Sequence, residues 1–81
     1  MKLKNPKKNN NMEMHRVTSS QLESIGWEND TLRVAFLSGS TYEYANVRNS
    51  LFQEMLNARK PSAVFNAKIK SHPSDYPFTK L

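Results

Sequence analysis

The side chains of this 81-residue chain that could do chemistry fall into two groups. Two tyrosines stand two apart in Tyr42-Glu43-Tyr44, and cations gather toward the carboxyl end as Arg48, Arg59, Lys60, Lys68 and Lys70. Rings two apart share one face of a strand, where they either stack on nucleic acid bases or pack a core. Clustered cations track phosphates, in binding that is indifferent to sequence and weakened by salt; the same residues also solvate surfaces and favour helix C-termini. Catalysis would need several His, Asp, Glu or Cys side chains converging on one point. The chain has no cysteine, its two histidines His15 and His72 lack helical His spacing, and no Gly-rich phosphate loop occurs. The expectation is a protein that is not an enzyme and holds neither cofactor nor metal.

The formal charge of +5 is unevenly spread. Residues 1–12 carry Lys2, Lys4, Lys7 and Lys8 with no acid. Residues 13–47 set Arg16 and Arg33 against Glu13, Glu23, Glu28, Asp30 and Glu43. From residue 48 onward Arg48, Arg59, Lys60, Lys68, Lys70 and Lys80 face only Glu54 and Asp75. An acidic middle between basic flanks directs a polyanion to the arm and the carboxyl third.

Those groups need a scaffold, and 81 residues allow one small domain with little core to spare. Without cysteine its stability must come from packing. No stretch is long and apolar enough for a signal peptide or a membrane span, so a cytoplasmic protein is expected. The opening "MKLKNPKKNNNMEM" has no apolar period to repay ordering, and reads as a disordered basic arm over residues 1–14 ahead of a domain over 15–81. Alternation then places Ile25 and Trp27, Leu32, Val34 and Phe36, and Tyr42 and Tyr44 on strands, with turns at Asn29-Asp30 and Ser38-Gly39.

Loop lengths fix which residues share a face. A two-residue turn at Asn29-Asp30 sets Trp27 opposite Leu32. A three-residue loop Leu37-Ser38-Gly39, with Gly39 left-handed as a bulge, sets Val34 opposite Tyr42 and Leu32 opposite Tyr44. This register gathers the large apolar groups on one face and favours core packing for both tyrosines; the other face, from Ser24 and Gly26 to Arg33 and Glu43, has no ring. Leu51, Phe52, Met55 and Leu56 then form a helical stripe, with Ser50 and Gln53 as a capping box or Asn46 or Asn49 as N-cap. Lys60-Pro61 ends that helix, and a shorter one over Ser62 to Lys70 buries Phe65 and Ile69. The proline-containing remainder is an extended tail docking through Tyr76 and Phe78. The expected fold is α+β: a three-stranded antiparallel β-meander followed by two short α-helices packed on one face.

In order and spacing, Ser19-Ser20, Ile25-Gly26-Trp27, Tyr42-Glu43-Tyr44 and Phe65-Asn66 resemble the KTSC domain, over about residues 16–81. That family is named for its occurrence at the C-terminus of some lysyl-tRNA synthetases, and is also found alone in bacterial and phage proteins. Arg48 stands where a proline often follows the valine, and Ser62 where a glycine often precedes the last helix. The resemblance implies a small α+β module with RNA as a candidate ligand, and carries over no catalytic activity. Trp27, Tyr42, Tyr44, Phe65 and Asn66 are its motif residues, read here as core. The functional expectation is a small binding module that meets RNA through Arg48, Arg59, Lys60, Lys68 and Lys70. The alternative is a protein-interaction adaptor with an exposed β edge or an apolar patch from Leu37, Phe78 and the helix flank. Neither reading involves a membrane.

Overall fold

The computed structural model describes residues 12–81. The basic arm expected over 1–14 lies outside the described residues except at its end, where Met14 already belongs to a strand. The elements run β1 (Met14–Arg16), β2 (Leu22–Glu28), β3 (Thr31–Phe36), β4 (Thr41–Tyr44), α1 (Asn49–Asn57), α2 (Pro61–Phe65) and β5 (Phe78–Lys80), with α2 passing directly into a π-helical segment Asn66–Lys70. The strands form one antiparallel sheet in the order β1-β2-β3-β4-β5. Five strands replace the expected three. The meander β2-β3-β4 stands as anticipated, and the added pair are three-residue edge strands, β1 at the junction of the arm and the domain and β5 in the segment that reads as tail. Edge pairing is a backbone matter and needs no long apolar alternation, so composition concealed it.

The turns carry the register. Asn29 and Asp30 take φ of 52° and 60°, the left-handed pair of a type I′ turn that matches strand twist. Gly39 at φ 103° closes the second loop. Trp27 faces Leu32, Leu32 faces Tyr44 and Val34 faces Tyr42, as loop lengths require. A bulge between Leu22 and Ser24 inserts one extra residue. It turns Leu22 and Ile25, three apart, onto the same buried face, which simple alternation would have separated.

The opposite face is free of rings, and its charges neutralise each other: Arg33 donates from Nε and Nη2 to Glu43 Oε2 at 2.9 and 2.6 Å. Gly26 is needed there. A Cβ at that position would stand 2.7 Å from the Glu13 carbonyl oxygen and 2.6 Å from Met14 Sδ, so only glycine lets residues 12–14 lie over the sheet.

On the apolar face, Phe52 and Met55 of α1 and Phe65 and Ile69 of the second helix close over Ile25, Leu32 and Val34. The N-cap of α1 is Arg48, extended and without a side-chain cap. Its carbonyl accepts from the N–H groups of Leu51 and Phe52 at 3.0 and 3.2 Å, so the Ser50–Gln53 capping box does not form, and Asn46 instead occupies a turn at φ 65°. The first helix ends at Asn57, ahead of Pro61, and Pro61 serves as the first residue of α2, where its missing N–H is no loss. The expected helix over Ser62 to Lys70 thus begins one residue earlier and changes winding halfway: Ser71 N–H reaches back five residues to the Asn66 carbonyl at 3.2 Å.

Candidate functional site

A continuous array of rings runs from the core to the surface across β4 and β5. Phe65 is fully buried and meets Tyr44 at 5.2 Å and Phe36 at 5.8 Å between ring centroids. Tyr44 and Tyr42 lie 6.4 Å apart, and each is 5.8 Å from Phe78. Exposure rises along this path, from 1% at Phe65 through 6% at Tyr44 to 55% at Phe78. The cause is strand pairing. Tyr44 faces Phe78 and Tyr42 faces Lys80 across the β4–β5 ladder, and partners in an antiparallel pair project to the same side. The tail is fixed at both ends, by Ala45 N–H to the Pro77 carbonyl at 2.9 Å and Leu81 N–H to the Thr41 carbonyl at 2.8 Å.

The π-helical segment ends at Lys70 and leaves these rings partly uncovered. Between them opens a cleft of about 480 Å³, walled by Phe36, Tyr42, Tyr44, Tyr76, Phe78 and Pro73, with Ser38, Ser40 and Lys70 as its polar groups. Burial, and then the neighbouring Tyr42, push the Tyr44 phenol above its ordinary 10.0, so it stays a protonated hydroxyl at neutral pH. Such a site offers ring faces, hydroxyls and one cation. It can hold a planar or apolar group bearing negative charge.

The five expected cations occupy three places. Lys70 lines the aromatic cleft. Arg48 and Lys68 line a neighbouring polar cleft of about 460 Å³ together with Glu54 and Asp75, and Lys68 Nζ donates to Glu54 Oε2 at 2.7 Å. Arg59 and Lys60 lie exposed on the connection between the helices. Tyr76 lines both clefts and forms their common wall.

Of the motif residues, Tyr44 and Phe65 are core. Trp27 is half-buried, its Nε1 donating to the Val47 carbonyl at 2.7 Å and its ring 6.5 Å from Phe52. Asn66 opens the π-helical segment. Trp27, Tyr42 and Asn66 are each half-buried, short of the full burial expected of core, and Tyr42, packed against the core, also forms cleft wall. Phe36, Ser38 and Lys80 entered the sequence reading only as strand, turn and charge, and Ser40 not at all; none was read as a site residue. The spacing of Tyr76, Phe78 and Lys80 is a strand alternation that marks the tail, masked by the intervening Pro77. Among the described residues no group of three or more His, Cys, Asp or Glu could hold a metal ion, and no helix is long and apolar enough to cross a membrane.

No curated protein matches the chain. The crystal structure of a KTSC domain protein from Yersinia pestis is similar, at 29% identity and a TM-score of 0.74, covering 86% of this chain and 97% of that one. The KTSC domain itself matches over residues 18–72, a span that takes in the meander, the Tyr-x-Tyr of β4 and both helices, and the chain belongs to the KTSC domain family.

Proposed function

We propose that this domain is a non-catalytic module that binds single-stranded RNA by phosphate contacts along its helical side. One observation carries the reading. Arg48, Arg59, Lys60 and Lys70 are exposed and in no ion pair among the described residues, whereas the cation at the sheet's centre, Arg33, is spent on Glu43. Lys68 is partly satisfied by Glu54, an exposed pair of small worth that a phosphate can displace. The occurrence from which the family takes its name, at the C-terminus of some lysyl-tRNA synthetases, suits an RNA ligand.

Titrating a labelled single-stranded oligonucleotide at about 50 and 200 mM salt tests this, because phosphate-driven binding weakens steeply across that range. Changing Lys60, Lys68 and Lys70 together to Glu abolishes binding and leaves the fold intact, since all three are exposed. Absence of binding at low salt removes the reading. A second reading, a protein-interaction adaptor, draws on the exposed Leu37, Phe78 and Leu81 at 58%, 55% and 59% and on β5 as an edge strand. Nucleic acid carried through purification, seen in the 260 nm absorbance, favours the first over the second.

A further inference from the structure

We propose that the aromatic cleft is a nucleotide pocket, taking one unpaired base of a single-stranded RNA against Tyr42, Tyr76 and Phe78, with an adjoining phosphate on Lys70. This inference rests on the RNA-binding reading and gives it a specific site. A purely electrostatic module needs no ring at its surface, yet Phe78 stands 55% exposed on the same side of the sheet as the buried Tyr44. Its neighbour Tyr42 is half-buried in the same cleft. Large rings left open beside a cation are the pairing that single-strand binders use, with stacking for the base and a positive groove for the backbone.

The charges in the cleft select among guests. A cage of rings also attracts a quaternary ammonium group, but Lys70 in the wall repels it, and Lys80 opposite Tyr42 adds a second cation on the same side. A plain apolar side chain would leave Lys70 without a counter-charge. A base with its phosphate satisfies both features, and the Ser38 and Ser40 hydroxyls supply donors and acceptors to a base edge. The volume of about 480 Å³ falls in the roughly 300–1,000 Å³ span of small-ligand sites. Continuity supports the same occupant: Tyr76 separates this cleft from the one that holds Arg48 and Lys68 beside Glu54 and Asp75, so a strand leaving the pocket reaches Arg48, which is in no ion pair among the described residues.

The test compares two labelled oligomers of equal length and phosphate count, one oligo(U) and one abasic, by fluorescence anisotropy with the full chain at low salt. Expected is an affinity for oligo(U) that exceeds the abasic oligomer's by about 5- to 100-fold. Phe78→Ser and Tyr42→Leu each remove much of that excess while leaving abasic binding and its salt dependence unchanged. Phe78 is exposed enough that its variant retains the fold, and the abasic oligomer needs no variant at all. Equal affinity for the two oligomers overturns the pocket and leaves electrostatic binding standing. So does parental affinity of both variants for oligo(U). Failure to bind either oligomer overturns the RNA reading as a whole, and recovery of a peptide seated in the cleft of the purified protein overturns the pocket in favour of a protein ligand.

Discussion

The β1 side and the β5 side of the sheet's apolar face carry similar rings under different cover. Trp27, Leu32, Tyr44 and Phe78 form one cross-strand row. At its β2 end, Trp27 packs against Phe52 of α1, His15 of β1 meets the same Phe52 at 6.0 Å, and the indole N–H is used by the Val47 carbonyl. At the β5 end no helix follows beyond Lys70, and Phe78 stays open to solvent. The residue types alone do not separate the two ends. What separates them is whether a helix passes over the row, and the uncovered end is where a ligand would gain contacts that the fold has not already made.

The largest expected effect breaks the row at its transition from covered to open. Tyr44→Ala removes a ring that is 94% covered and packed on Phe65, and destabilises by about 3 kcal/mol or more. Tyr42→Ala removes a ring that is only partly buried against the core, and destabilises by less than Tyr44→Ala, since the lost burial is smaller. Urea unfolding of both variants checks this. Equal losses would mean that Tyr42 is as much a core residue as Tyr44, and the contrast between the two ends would fall.

A smaller effect sharpens the covered end. Trp27→Phe keeps a ring against Phe52 but deletes the 2.7 Å bond to the Val47 carbonyl, and destabilises by about 1 kcal/mol. Stability unchanged in the same urea experiment would show that water replaces the indole there, and that this end is less closed than the geometry indicates.

The meander and its register were readable from the sequence because turn chemistry and loop length leave few options. Asn29-Asp30 and Gly39 adopt the left-handed angles their types allow, and the pairs Trp27–Leu32 and Val34–Tyr42 follow. The buried Phe65 and Ile69 were readable from helical spacing. Three features were not. The bulge at Glu23 breaks alternation with no glycine or proline to announce it. The helix start at Arg48 rests on backbone bonds that carry no side-chain signature. The pairing of β5 with β4 depends on backbone meeting backbone far apart in the sequence, and with it went the cleft, because only that pairing brings Phe78 and Lys80 beside Tyr42. The rings were visible from the start; their common cavity was not.

The smallest effect probes the Tyr44 hydroxyl. Burial, and then Tyr42, raise its pKa in the folded chain above the 10.0 it has when unfolded. Below 10.0 both states keep the proton, and the group leaves stability independent of pH. Above it the unfolded chain releases the proton while the folded chain still holds it, so stability declines as pH rises from there through the folded value. Tyr44→Phe has no proton to lose and should lack this component. Urea midpoints of parent and variant followed from about pH 8 to pH 11 therefore run parallel at first and converge or cross as the alkaline limit is approached. Parallel curves throughout would mean that Tyr44 ionises as easily folded as unfolded, which requires water at its hydroxyl and a cleft that reaches deeper beneath Tyr42 than the packing of Tyr44 on Phe65 permits.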